Sequence, residues 1–170
     1  MKRRIVWVIP ARYQSTRFQG KPLALIHGKP MIYHVYQNAY RCRLLDDLIV
    51  ATDDTRIFKI AHDFGAKVMM TSPDHPTGTD RVGEVARKVK ADIFVNIQGD
   101  EPLIQPKFIE MVTTPLLEDD SLKVTNLISK LNNVGDYIDS NVVKAAVDIK
   151  GNLMYLTRSP IPYPRNRQGY

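Results

Sequence analysis

Three loops hold the residues whose types and spacing can do chemistry. The first is IPARYQSTRFQGKPL, Ile9 to Leu23, which follows the apolar run RIVWVI. It carries the cations Arg12, Arg17 and Lys21, with Ser15, Thr16 and Gly20 among them. A loop leaving a strand offers free backbone N–H groups, and glycine lets the backbone come close to a ligand. Cations placed there can neutralise a triphosphate. Arginine matches phosphate oxygens with its fork, lysine adds a mobile charge, and Ser15 and Thr16 can donate further hydrogen bonds. The spacing is not that of a Walker A loop. An ordinary polar surface loop has the same composition, so residue types alone leave both readings open.

The second loop is Gln98-Gly99-Asp100-Glu101-Pro102, at the end of the apolar run DIFVNIQ. A carboxylate there can hold Mg²⁺, which keeps most of its waters and bridges to substrate phosphates. Asp100 is the candidate, and Gly99 is expected to let the chain turn sharply. A plain β-turn also accounts for these residues. The third loop, DHPTGTDR, runs from Asp74 to Arg81. His75 can serve as a base, a metal ligand or a nucleotide contact, but no second histidine is placed to help it. Thr79 or Asp80 is expected to cap a helix. Arg81, in its first turn, opposes the helix dipole and needs a compensating anion, either a ligand or Asp80.

These loops need a scaffold that brings them to one edge. Ile5–Ile9 reads as a buried strand, and Pro30 opens a helix with Ile32, Val35, Tyr36 and Ala39 on one face. Tyr33, Tyr36 and Tyr40, at helical spacing, read as core. Leu48–Thr52 is a strand, and Asp53 or Asp54 caps the helix Thr55–Phe64, which Gly65 ends. Lys67–Met70 is a strand, a helix runs to about Val89, Asp92–Gln98 is a strand, and Pro106–Leu117 is a helix. Three further strands are expected at Lys123–Leu131, Val142–Ile149 and Leu153–Thr157. Alternating strands and helices predict an α/β fold with a mainly parallel sheet covered on both faces, followed by C-terminal strands. In such sheets ligands sit beyond the carboxyl ends of the strands, where the three loops meet. The end, SPIPYPRNRQGY, reads as a loop or arm.

With 170 residues, 44% hydrophobic and 25% charged, the chain has the composition of a soluble globular domain. No apolar stretch is long enough to span a membrane. MKRRIVWVIPAR has the outline of a signal peptide, but its apolar run is too short and Pro10 and Arg12 stand where a cleavage site belongs, so a cytoplasmic protein is expected. The single Cys42 excludes an internal disulfide and reads as a buried, idle thiol. His27, His34 and His62 read as structural or exposed. The net charge of +6 is scattered, without basic runs beside aromatics. It therefore points away from nucleic acid and toward a local site for a small polyanion.

Taken together, IPARYQSTRFQGKPL, HGKPMIYHV, IVATDD, DHPTGTDR, NIQGDEPLI, NVVKAAVD and YLTRSPIPY resemble, in content and order, the 3-deoxy-D-manno-octulosonate (KDO) cytidylyltransferases. The resemblance runs from the first strand to the end of the chain. It implies a Rossmann-like nucleotidyltransferase fold and the joining of CTP and KDO to give CMP-KDO and pyrophosphate, for lipopolysaccharide synthesis. It implies Mg²⁺ as cofactor, CTP and KDO as partners, and a homodimer for the complete protein. It assigns catalysis to Lys21, Asp100 and Arg12. It assigns substrate binding to Pro10, Ala11, Arg12, Ser15, Thr16, Arg17, Lys21, His75, Gly78, Thr79, Arg81 and Gln98, and the metal to Asp100. On this reading the first loop grips the triphosphate, Pro10 and Ala11 lie against the nucleotide, and residues 75–81 hold cytosine and ribose. Gln98 points toward the sugar.

Residues 1–170 then form one nucleotidyltransferase domain. Residues 1–120 are its CTP-binding core, and 121–170 begin a sugar-binding and dimerisation part expected to be incomplete. Two departures from the family pattern stand out. Gln19 occupies a position where the family has proline, and the family's later HxGIYxY and GxDTxxD segments do not occur in these residues. A cytidylyltransferase for another acidic sugar of the sialic-acid type, whose first loop differs, and a catalytically incomplete nucleotide-binding paralogue are the alternatives.

Overall fold

Strand β1, Ile5–Ala11, is buried along its whole length, and its alternation splits the core in two. The computed structural model describes residues 3–14 and 18–163. Ile5, Trp7, Ile9 and Ala11 face one side of the sheet, Val6 and Val8 the other. After β1 come a two-residue hairpin of β2 (Leu25–Ile26) and β3 (Lys29–Pro30), helix α1 (Met31–Tyr40), β4 (Asp47–Thr52), α2 (Thr55–Asp63) and β5 (Lys67–Met70). Then follow α3 (Gly78–Lys88), β6 (Ile93–Asn96), α4 (Pro106–Glu118), α5 (Val134–Ile138), β7 (Lys144–Val147) and β8 (Leu153–Thr157).

The central sheet has the order β5-β4-β1-β6, with every pairing parallel. Helices α1, α2 and α4 contribute Ile32, Val35, Ile57, Ala61 and Ile109 to one face. Helix α3 packs Val82 and Val85 on the other. The chain leaves β1 toward β4 and β5, then returns to β6 on the opposite side. That reversal opens a crevice at the carboxyl end of β1, where open α/β sheets take their ligands.

Local differences from the sequence reading have physical causes. Pro30 pairs with Leu25 and is the N-cap of α1 instead of its first helical residue. A proline that donates nothing is tolerated in either place. Asp54, not Asp53, caps α2, accepting from the backbone N–H groups of Arg56 and Ile57. Gly65, at φ +87°, follows its end. Tyr36 is buried, but Tyr40 at the last turn of α1 is exposed, stacked on Tyr36. Cys42 is buried, and burial pushes its thiol up to about 11. The expected strand Lys123–Leu131 is irregular, because no described strand pairs with it. The missed α5 is capped by Asn133, whose side chain accepts from the Asp136 N–H. Strand β7 is shorter than Val142–Ile149, and β8 has the expected bounds.

The chain divides into two compact units, Met1–Thr125 and Asn126–Tyr170. In the second, Lys144 is the one buried residue among those described, at 3% exposure. Its ammonium donates to the carbonyls of Asp139, Val142 and Arg158 at 2.5, 2.8 and 3.2 Å. Meanwhile Ile128, Val143, Val147, Met154, Tyr155 and Leu156 are exposed. A two-stranded hairpin with no covered apolar face is marginal in water. The 170-residue polypeptide is therefore expected to self-associate. Its sedimentation mass should rise with concentration, and Leu156→Lys should blunt the rise. A monomer at every concentration would contradict this.

Candidate functional site

The carboxyl ends of β1 and β6 and the start of α3 enclose a cleft of about 590 Å³. Pro10, Ala11 and Arg12 line it from β1, Phe18, Lys21 and Pro22 from the first loop, and Gln98, Gly99 and Asp100 from the turn after β6. His75, Thr77, Gly78 and Arg81 close the remaining side. Pro10 is the point of convergence. A Cβ on Gly99 would lie 2.7 Å from the Pro10 carbonyl oxygen, and one on Gly78 would lie 3.1 Å from its ring. Gly99 is thus required for close approach, and it sits in the expected turn, where the Glu101 N–H donates to the Gln98 carbonyl at 3.3 Å; its φ is not positive. The side-chain amide of Asn38 on α1 donates to the Pro102 carbonyl at 2.8 Å and steadies that turn.

The neck of the first loop is closed by Gly20, whose N–H donates to the Tyr13 carbonyl at 2.8 Å. The Tyr13 ring lies under the Arg56 guanidinium, 3.3 Å from it to the ring centroid. A 3₁₀ turn at Lys21–Leu23 with buried Pro22 then fixes where Lys21 leaves the backbone. Its ammonium meets the Asp100 carboxylate at 2.7 Å, the side chains being 37% and 50% exposed. A pair that open to solvent contributes at most about 1 kcal/mol, so a ligand can separate it. Arg12 and Gln98 are exposed at the cleft wall.

Helix α3 is capped by Thr77, two residues before Thr79 and three before Asp80, the expected caps. The Thr77 hydroxyl accepts from the Asp80 N–H while the Asp80 carboxylate accepts from the Thr77 N–H, a capping box. Asp80 is therefore not the partner of Arg81. Arg81, only 2% exposed, pairs with Asp53 at 3.1 Å and also donates to the Thr71 hydroxyl. His75 is held by Glu84, its Nε2 lying 2.5 Å from the carboxylate. Thr79 is not on the cleft wall; its hydroxyl accepts from the Asn96 amide at 3.4 Å. Ser15, Thr16 and Arg17 lie outside the described residues. The other residues that the resemblance assigns to the site, Pro10, Ala11, Arg12, Lys21, His75, Gly78, Arg81, Gln98 and Asp100, line the cleft.

Tyr13, Asp53, Thr77 and Glu84 are the supporting residues that the sequence reading missed. Only Thr77 had a legible signal, the T-x-x-D spacing of a capping box. The Glu84 carboxyl is held down to about 2 by Lys88, then by the Ser72 N–H and the His75 ring. A lowered carboxyl stabilises the fold fully above its ordinary value, near 4.5, and loses that contribution as pH falls through about 2. Between those limits the unaltered protein should lose a stability increment that Glu84→Gln does not lose. Parallel acid-unfolding curves would contradict this.

Asp100 is the single carboxylate on the described cleft wall. Among the described residues no three histidine, cysteine or acidic side chains converge. One half-exposed carboxylate on a cleft wall that also carries Arg12 and Lys21 fits the donor chemistry of Mg²⁺, which keeps most of its waters and needs few protein ligands. It does not suit a four-ligand zinc site.

The profile of the cytidylyltransferase family matches residues 6–170. The chain belongs to the cytidylyltransferase family. It is 48% identical over 163 residues to the 3-deoxy-manno-octulosonate cytidylyltransferase of Geobacter sulfurreducens, covering 96% of this chain and 65% of that protein. It is 50% identical over 163 residues to the enzyme of the same name from Pelobacter propionicus, covering 96% of this chain and 64% of that protein. The chain thus spans about 65% of the length of these curated relatives. A solved structure of CMP:2-keto-3-deoxy-manno-octonic acid synthetase complexed with CTP is 44% identical and superposes with a TM-score of 0.88, covering 98% of this chain and 69% of that one. The family fold is the parallel sheet described above. Among the described residues no helix is long and apolar enough to cross a membrane.

Proposed function

We propose that this cleft binds CTP and that the whole protein transfers its cytidylyl group to KDO, releasing pyrophosphate, for lipopolysaccharide synthesis. The observation that carries the reading is the meeting of Arg12, Lys21 and Asp100 at the end of β1, in a chain similar to proteins named for that reaction. The KDO anomeric hydroxyl attacks the α-phosphorus and gives up its proton to solvent, the bond from the α-phosphorus to the bridging oxygen breaks, and that bond's electrons leave with pyrophosphate. Arg12 and Lys21 neutralise the departing phosphates, so catalysis is positioning and charge compensation. Asp100 is the residue that would hold Mg²⁺, which when bound supplies charge stabilisation at the phosphoryl oxygens. Gln98, on the same turn, faces the acceptor. A cytoplasmic location and a homodimeric full-length protein complete the reading.

The test is CTP titration by calorimetry together with a coupled pyrophosphate assay using KDO and, separately, N-acetylneuraminate. KDO-dependent release supports the reading. Release with N-acetylneuraminate instead would move the acceptor to the sialic-acid type. CTP binding without release in either assay would leave a nucleotide-binding module, and absent CTP binding would overturn the site itself. Lys21→Ala should weaken CTP far more than CMP, because CMP lacks the terminal phosphates. Loss of one charge-assisted contact costs on the order of 1.5–3 kcal/mol, or about tenfold to a hundredfold. Equal losses for both nucleotides would remove Lys21 from the terminal phosphates.

A further inference from the structure

Two carboxylates, Asp53 and Asp54, stand side by side just beyond β4, and neither lines the cleft. Asp53 reaches α3 through Arg81, and Asp54 reaches the first loop through Arg56. The Arg56 fork takes Asp54 with two hydrogen bonds, Nε to Oδ1 at 3.0 Å and Nη2 to Oδ2 at 2.6 Å. Oδ1 also accepts from the backbone N–H groups of Arg56 and Ile57, at 2.9 and 3.3 Å, so the carboxylate is fixed to the first turn of α2. A bidentate pair sets the plane of the guanidinium as well as its position. The Arg56 guanidinium carbon lies 3.3 Å from the Tyr13 ring centroid, a stacked contact. The same ring meets buried Gly20, where a Cβ would lie 2.9 Å from it, and the Gly20 N–H donates to the Tyr13 carbonyl at 2.8 Å. Both ends of the segment 13–20 are thus tied to α2 through one ring, and Lys21 follows directly. The Arg56 side chain is 56% exposed, so the core does not depend on it, and without it Asp54 keeps its two backbone donors.

We propose that Arg56 is a positioning residue: braced by Asp54, it clamps the Tyr13 ring and holds the neck of the first loop in the shape that presents Lys21 to a nucleoside triphosphate. This rests on the CTP reading above. A loop fixed before the ligand arrives spares the complex the entropy of ordering it. The gain falls on a ligand with terminal phosphates, because those are the groups assigned to Lys21. Arg56 acts from outside the cleft and touches no substrate.

The experiment measures amide hydrogen exchange in the nucleotide-free protein and titrates CTP and CMP by calorimetry, in the unaltered chain and in Arg56→Ala, Asp54→Ser and Tyr13→Phe. Alanine suits the helix, serine still caps it without pairing with the guanidinium, and phenylalanine keeps the ring face. Arg56→Ala and Asp54→Ser should each speed exchange of the Gly20 amide by about three- to tenfold, the scale of one cation–ring contact, while the β1 amides keep their rates. Both should weaken CTP by a similar factor and leave CMP nearly unchanged. Tyr13→Phe should match the unaltered protein in exchange and in affinity. A merely structural role would speed the β1 amides as well and weaken both nucleotides alike, and that pattern in Arg56→Ala would overturn the proposal. So would an unchanged Gly20 rate or an unchanged CTP affinity. If the unaltered protein binds no CTP, the CTP reading fails, while the Gly20 rates still decide whether Arg56 holds the loop.

Discussion

Replacing Asp100 by asparagine is expected to make CTP binding indifferent to Mg²⁺ while leaving the fold unchanged. The side chain is half-exposed on a turn, and its ion pair with Lys21 is solvent-accessible. The change is close to isosteric, so little folding energy is at stake. A neutral amide attracts Mg²⁺ far less than a carboxylate. In the unaltered protein, removing Mg²⁺ should weaken CTP by about tenfold or more. In Asp100→Asn, CTP should bind equally with and without the metal, and Lys21 should be free for the phosphates. Pyrophosphate release by the whole protein should fall by about two orders of magnitude, the scale of losing an electrostatic stabiliser of phosphoryl transfer. Calorimetry in Mg²⁺ and in chelator, beside the release assay, reads both effects. Near-normal release at ordinary Mg²⁺ levels would remove Asp100 from the metal site.

The cleft was legible in the sequence because its parts are local. Buried apolar runs mark β1, β4 and β6, and a parallel sheet must gather the loops at their carboxyl ends. Arg12, Lys21, Gln98 and Asp100 follow directly from that rule. What remained hidden depends on contacts across sequence distance. Asp53 and Arg81 are 28 positions apart, and nothing in either neighbourhood specifies the pair. The closeness of Pro10 to Gly78 and Gly99 is likewise a packing fact, visible only once β1, α3 and the turn after β6 are assembled. The irregular stretch after Asp119 was misread because Val124 and Ile128 have strand-like composition. Composition alone does not provide a paired edge.

Asp53→Ala is expected to destabilise the protein by about 3–5 kcal/mol, a large fraction of the 5–15 kcal/mol that holds a typical domain together. Arg81 is almost fully buried on the first turn of α3, where the helix dipole already disfavours a cation. Asp53 Oδ2 supplies the compensating charge at 3.1 Å. Without it, the Thr71 hydroxyl and the Ser72 carbonyl remain as partners, and neither carries a charge. The cost is therefore that of an uncompensated buried cation, not of one lost contact. Asp53→Asn keeps the shape and one acceptor, and should cost less. The double variant Asp53→Ala/Arg81→Met removes the stranded charge and should recover much of the stability, because apolar side chains replace buried ion pairs at little cost. It should not recover CTP affinity if Arg81 shapes the wall beside Gly78. Urea midpoints of the three variants read the stability, and calorimetry reads the affinity. A double variant no more stable than Asp53→Ala would show that Asp53 supports the fold through contacts other than Arg81.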